Sequence, residues 1–176
     1  MITREQAYEI LQKHVKGRFM INHHFGAEVV MRAFAAKFNQ DPELWGLCGL
    51  LHDMDWEYTK DTPHEHTKKA TEILRAEKVD EVIIHAVQAH HPFASGIEPF
   101  EELTGLMIAC ALVQPDKKLA SVKTESVLKK LKVKGFARGV NREIVNQAAE
   151  ALGLPMEEVV RISLVAMQSI ASELGL

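Results

Sequence analysis

Apolar residues recur at helical spacing along most of the chain: Val29, Val30, Ala33, Phe34 and Phe38, then Leu44, Leu47, Cys48 and Leu51, then Ile73 and Leu74, then Val82, Ile83, Ala86 and Val87. A period near 3.6, with no sustained alternation and no Asn-Gly or Asp-Gly hairpin turn, predicts helices rather than strands. The punctuation agrees, because Pro42, Pro63, Pro92, Pro99, Pro115 and Pro155 all stand at joints of the pattern. Thr3-x-x-Gln6 and Thr62-x-x-Glu65 read as capping boxes, and Asp41 before Pro42 reads as an N-cap with proline in the first turn. Helices are predicted near 3–15, 20–38, 42–53, 63–76, 80–91, 99–113, 118–132, 142–152 and 156–174. The fold class is all-α, a compact single-domain bundle.

Composition narrows this reading without changing it. A chain of 176 residues, 47% apolar and 26% charged, has the size and make-up of one globular domain. The best apolar run, Leu103 to Val113, is 11 residues long and too short to cross a bilayer. The opening MITREQAYEI lacks the apolar stretch of a secretion signal, and Cys48 and Cys110 lie in apolar helical segments as expected of buried free thiols. A soluble, cytoplasmic protein with no membrane partner is expected.

Lysine and arginine total 21 against 24 acids, net −3, which argues against a surface built throughout for nucleic acid. The charge is uneven. Residues 1–115 hold 11 basic and 17 acidic groups, residues 116–142 hold 9 and 2, and the rest hold 1 and 5. The basic stretch, Lys117 to Arg142, has no interleaved aromatic but Phe136, so a solvated helix face is favoured over a nucleic-acid or polyphosphate patch. Val159, Val160, Ile162, Leu164, Val165, Ile170 and Leu174 read as packing or as a dimer face, which admits a homo-oligomer.

All nine histidines fall in the first 91 residues, and seven lie in short clusters: His23–His24, His52, His64 and His66, His90–His91. Chain order predicts that they meet. His23 begins the second predicted helix and His52–Asp53 ends the third, and a short connection from Asn39 to Asp41 makes the two antiparallel neighbours. His66 then opens the next helix, His90 ends the one after, and Glu101 lies in the first turn of the sixth. In an up-and-down bundle all of these reach one pole. Imidazole with carboxylate and no thiolate suits an open site for Mn, Fe, Co, Ni, Mg or Zn rather than a closed structural zinc. A divalent ion there acidifies bound water, and helix N-termini at the same pole would face a phosphate.

At GLLHDMDWE, residues 49–57, the chain resembles the HD domain superfamily, and more narrowly its small stand-alone hydrolases. HHFGAEVVMRAF, ELWGLCGLLHDMDWE, HEHTKKATEIL, VQAHHP, ELTGLMIACALVQPDKKL and GFARGVNREI carry the resemblance along nearly the whole chain. It implies one all-helical domain over 1–176, with a metal-binding core at about 20–115 and helices 116–176 packed on it. It also implies metal-dependent phosphohydrolase activity. The implied metal ligands are His23, His52, Asp53 and Glu101, where Glu101 departs from the family's aspartate by one methylene. The nearest alternative acid, Asp116, lies at the far end of the same helix. His66, His90 and His91 match places that hold a second ion or contact phosphate, so one or two ions per chain are implied, with His90 the better match of its pair.

Asp53, His66, His90 and Asp55 are thus the expected catalytic residues, Asp55 orienting an imidazole or guiding water, with an exposed acidic loop as the plain alternative. His64, His85 and His14 are expected to play no part, His24 is the decoy beside His23, and Trp45 and Trp56 are expected to pack. Lys60, Lys68 and Lys69 flank the pole. The expected partner is a small phosphorylated substrate, nucleotides included, with nucleic acid disfavoured. The rivals are a degenerate HD fold that senses a nucleotide without hydrolysing it, which the Glu at 101 keeps open, and a two-iron oxygenase.

Overall fold

The computed structural model describes residues 1–89 and 98–176, the side chains of residues 63, 98, 99 and 101 excepted. Every regular element among the described residues is helical, as the periodicity predicts. The chain divides into two compact units, Met1–Glu98 and Pro99–Leu176.

The first unit holds α1 (Arg4–His14), α2 (Arg18–Lys37), α3 (Pro42–Leu51), α4 (Trp56–Thr59), a 3-10 turn (Pro63–Glu65), α5 (Lys68–Ala76) and α6 (Glu81–Gln88). The Thr3–Gln6 capping box forms in full at the start of α1, so two otherwise orphaned amides are satisfied by side chains. Asp41 caps α3 by accepting the amides of Glu43 and Leu44, while Pro42 occupies the first turn where its missing N–H costs nothing.

Helix α3 returns along α2 at very short range. A Cβ on Gly49 would stand 2.8 Å from the carbonyl oxygen of Ala27, so the two backbones touch there and only glycine fits. Phe34, Leu47, Leu50, Leu51, Met54, Leu74, Ile83 and Ile84 are fully buried around this pair. Glu28, 1% exposed, takes Nε and a terminal nitrogen of Arg4 on its two oxygens at 2.7 and 2.9 Å and Nε of Arg32 at 3.0 Å. Arg32 also grips both oxygens of Glu43, so one buried carboxylate with two guanidinium partners ties α1, α2 and α3 together.

The second unit holds α7 (Glu98–Leu112), a 3-10 turn (Leu119–Ser121), α8 (Thr124–Leu131), α9 (Arg142–Leu152), α10 (Met156–Ser169) and α11 (Ala171–Leu174), with α7 starting one residue before the boundary. α10 packs on α8 and α9 through buried Val159, Val160, Leu164 and Met167. Asn141 caps α9 by accepting the amides of Glu143 and Ile144, and Gly153, at φ 62°, ends the helix in the left-handed region.

The predicted elements are found, with four corrections. The helix placed at 42–53 ends at Leu51, and a short unpredicted α4 follows. The helix placed at 63–76 starts at Lys68, because Thr67 adopts φ 66° and breaks the helical path. The Thr62–Glu65 pair closes the preceding turn instead of capping a long helix. The helix placed at 118–132 starts at Thr124, because Asp116 accepts from the Lys118 amide and the Ser121 hydroxyl and winds that stretch into the 3-10 turn. The last helix breaks at Ile170, φ −114°. Cys48 and Cys110 are free and buried as expected, and burial pushes the Cys48 thiol up to about 12. No helix among the described residues is long and apolar enough to cross a membrane.

Gly49→Ala sets a methyl group against backbone, so it is expected to lower stability by about 1–3 kcal/mol. At Gly46 the added methyl would crowd Cγ, Nε and Cζ of Arg32, so Gly46→Ala is expected to displace the Arg32 clamp rather than the backbone and to lower stability as well. Thermal melts of the two variants compare them directly, and a parent-like melt for Gly49→Ala would contradict the backbone contact.

Candidate metal centre

The α2–α3 contact sets up the centre. His23 lies in the second turn of α2, His52 is the residue on which α3 ends, and Asp53 follows in the turn. Nδ1 of His52 donates to the Gly49 carbonyl at 2.7 Å, which leaves the lone pair on Nε2. That Nε2 is 3.1 Å from Nε2 of His23. The nearer oxygen of Asp53, Oδ2, is 3.6 Å from His23 Nε2 and 3.9 Å from His52 Nε2. Donors around one ion at bonds near 2.1 Å stand about 3.0–3.4 Å apart, so the three fit a divalent cation after a small inward adjustment of the carboxylate. Two imidazole nitrogens and a carboxylate oxygen without thiolate are also the donor chemistry that such ions accept.

Behind these donors stands a chain of hydrogen bonds. The other Asp53 oxygen, Oδ1, lies 3.0 Å from His66 Nε2, and His66 Nδ1 lies 2.8 Å from Asp55 Oδ1. Asp55, fully buried, uses its second oxygen to accept the Ala70 amide at 2.9 Å. Thr67, at the head of α5, makes no side-chain cap, so Asp55 supplies from another element the acceptor that the first turn of α5 lacks. Burial by itself disfavours a charged His66, but hydrogen bonds and charge from Asp53 and Asp55 outweigh it and raise the pKa to about 10. His66 is therefore an imidazolium at neutral pH, held between two carboxylates.

The predicted residues sort cleanly. His23, His52 and Asp53 converge, with His66 and Asp55 behind Asp53. His66 lies ahead of α5, in the turn, not in the first turn of a helix as expected. Asp55 is no exposed loop acid. His24 is fully buried beside the His52 and His23 rings, at centroid distances of 5.1 and 5.9 Å, and neither of its ring nitrogens has a well-formed hydrogen-bond partner among the described residues. Burial first, with the neighbouring His52 and His23, holds its pKa well below the usual histidine value and keeps it neutral. His64 is exposed, His85 pairs with Glu81, and His14 meets the Tyr58 hydroxyl, all apart from the centre.

Glu101 belongs to α7, in the second unit, with its side chain outside the described set, and His90 and His91 lie outside the described residues. Asp116, the alternative acid, is engaged by Ser121 and Lys118. Two features escaped the sequence reading. The Ala70 amide leaves no mark in side-chain identity, although the missing cap at Thr67 points to it. Trp56, expected to pack, is 39% exposed, its ring edge-on to His66 at 5.9 Å, and Phe19, one helical turn before His23, is 74% exposed.

A helical fold that brings a histidine to an adjacent His-Asp pair at chelating distance defines a candidate metal centre of the His/Asp class. The HD domain family model matches residues 20–114, more than half of the chain, and the chain belongs to that family. It is similar to Ribonuclease Y of Chlorobium luteolum, 28% identical over 148 residues, 81% of this chain and 28% of that protein. It is also similar to Ribonuclease Y 2 of Levilactobacillus brevis, 26% identical over 106 residues, 60% of this chain and 20% of that protein. Ribonuclease Y of Rhodopirellula baltica is 28% identical over 82 residues, 47% of this chain and 16% of that protein. The chain thus spans between 16% and 28% of the length of these curated relatives. No solved structure matches it.

The raised His66 pKa makes metal-free stability depend on pH. The folded value, about 10, exceeds the ordinary 6.5, so the stabilisation is complete below pH 6.5 and is lost as pH rises towards 10. Melting temperatures in chelator should therefore fall between pH 6.5 and 10, and less steeply for Asp55→Asn and His66→Gln. Identical slopes in the parent and His66→Gln would contradict the imidazolium.

Proposed function

We propose that the protein is a metal-dependent phosphohydrolase acting on a phosphomonoester, with a nucleotide as the favoured substrate. The observation that carries this reading is the convergence of His23, His52 and Asp53 on one point, with Asp53 fixed from behind by His66. A divalent ion held there supplies Lewis acidity and a nucleophilic water near neutral pH. His52, its Nδ1 tied to the Gly49 carbonyl, turns its other ring nitrogen, Nε2, to the shared point. His66 is a positioning residue: its proton on Asp53 Oδ1 turns Oδ2 towards the two imidazoles, and Asp55 holds His66 in place. Glu101 as a further ligand and His90 as a phosphate contact complete the assignment.

The surroundings support a base-bearing substrate. Glu57 of α4 accepts the amides of Lys16 and Gly17, both at 3.0 Å, and so holds the start of α2 against α4. Trp56, the first residue of α4, lies edge-on to His66 at 5.9 Å, and exposed Phe19 lies one helical turn before His23 on α2. Exposed Lys16, Arg18 and Lys60 add positive charge around them. A half-exposed ring beside a phosphate-cleaving centre suits base stacking, worth about 1–3 kcal/mol per base. A second reading, hydrolysis of an RNA phosphodiester, is favoured by the Ribonuclease Y name of the relatives, and the same donors would serve it.

Purified protein should carry one or more divalent ions per chain by elemental analysis, and Asp53→Ala should lose both metal and turnover. Retained turnover in that variant would remove Asp53 from the mechanism. A screen of nucleoside monophosphates, sugar phosphates and oligoribonucleotides separates the two readings. A nucleotide that raises the melting temperature without being consumed would instead identify a sensor. Trp56→Ala should raise KM for a nucleotide roughly tenfold while leaving a sugar phosphate unaffected, the size expected for one lost stacking contact.

A further inference from the structure

The second unit concentrates positive charge in a segment that the hydrolase reading does not use. Residues 116–142 carry nine basic and two acidic groups. Lys117, Lys123, Lys129, Lys132, Lys134 and Arg138 are exposed, and none has an ion-pair partner among the described residues. One of the two acids, Asp116, is already taken up by Ser121 and Lys118.

The connection between α8 and α9 is built, not slack. Arg142 spreads its guanidinium over four carbonyls, donating to Val140 at 2.7 Å, Ala137 at 2.8 Å, Val133 at 3.3 Å and also to Phe136. The Asn141 amide anchors the end of the connection to Glu102 of α7 at 2.9 Å, and Lys130 sits 4.5 Å above the Phe136 ring. The carbonyls are thus consumed on the Arg142 side. The amides of Gly135, Arg138 and Gly139 donate to no acceptor among the described residues.

The two glycines sharpen the point. Neither has a left-handed φ, and a Cβ built on either would meet nothing within 4 Å. Ala137 takes the left-handed turn instead, at φ 44°. The fold needs glycine at neither position, but a ligand that approaches the backbone does. Bare backbone, unspent amides and a fringe of Lys129, Lys132, Lys134 and Arg138 together form an anion cradle.

We propose that the Lys129–Gly139 segment binds a chain of linked phosphates, the backbone of a single-stranded nucleic acid or an inorganic polyphosphate. One aromatic ring, already covered by Lys130, offers no platform for bases, so recognition is of phosphate and not of sequence. This surface is independent of the metal centre, and its test does not use turnover.

The test is equilibrium binding of the full chain to a fluorescent 2′-O-methyl oligouridylate of about 20 nucleotides, which resists cleavage, across a salt series. Inorganic polyphosphate is the competitor. Binding is expected at about 50 mM salt and should weaken steeply as salt rises. Lys132→Gln/Lys134→Gln/Arg138→Gln should weaken it roughly tenfold and flatten the log–log salt slope by about 2, the loss of three phosphate contacts to a single strand. Gly135→Ala/Gly139→Ala should melt like the parent, since both methyl groups enter open space, yet bind more weakly. Preference for the oligonucleotide identifies nucleic acid as the source of the phosphates, and equal or tighter binding of polyphosphate identifies the free chain. Absence of binding to both, or parent-like binding by either multiple variant, overturns the proposal.

Discussion

The centre exists because two helix backbones touch. At Gly49 the third helix comes so near Ala27 that no side chain could stand between them. His23 lies one turn before Ala27 on its helix, and His52 lies one turn after Gly49 on the other. A pair of antiparallel helices in contact at that one level must bring these two imidazoles to the same height. The Gly49 carbonyl then does a second thing by accepting from His52 Nδ1, so the position that permits the contact also sets the tautomer of the ring it delivers. Glu28, next to Ala27, clamps the pair from the α1 side through Arg4 and from the α3 side through Arg32. A loosening of this clamp by a fraction of an ångström would be felt directly in the spacing of the donors.

Charge explains why the second layer is arranged as it is. Asp53 and Asp55 are both buried, and two carboxylates so placed repel each other and resist desolvation. Protonated His66 between them cancels one of the two charges. The Ala70 amide, at the positive end of α5, eases the other. What is left is about one negative charge beside the His23 and His52 rings, with His24, held neutral by burial, adding no positive charge of its own. His66 is then better understood as part of the acid that it orients than as a free base.

The sequence showed the helices and the meeting of His23 with His52–Asp53 because both follow from periodicity and chain direction, which side-chain identity encodes. It could not show that Thr67 would adopt a left-handed conformation and shorten the next helix, since any residue type is formally possible there and tertiary bonding decided it. Nor could it separate the two readings of Asp55. An acid four residues past a helix end is exposed or buried according to what folds over it, and here α5 does. Trp56 differs in the other direction, because a tryptophan is packed in most folds, whereas here, at the start of α4, it is half open. The basic stretch was read correctly as charge. The carbonyl grip of Arg142 within it could not be read, because it is a backbone arrangement that no pattern of residue types announces.

One construction principle recurs in both units. In each, a charged side chain reaches across to backbone groups that the local helix cannot satisfy, and its grip determines what the neighbouring atoms are free to do. Asp55 takes an orphaned amide at the head of α5, and its remaining oxygen is thereby fixed on His66. Arg142 takes four carbonyls ahead of α9, and the amides of the same turn are left unspent. The family match, residues 20–114, covers the first arrangement and stops short of the second. An interior acid must be satisfied completely, because an unpaired charge there is costly, so Asp55 can serve only position and polarity within the fold. Arg142 is half-buried, and its guanidinium is satisfied through its terminal nitrogens, with Nε left without a partner among the described residues. By neutralising one side of a turn it leaves the other side chemically active, which makes the second unit the part of this chain best able to carry a property of its own.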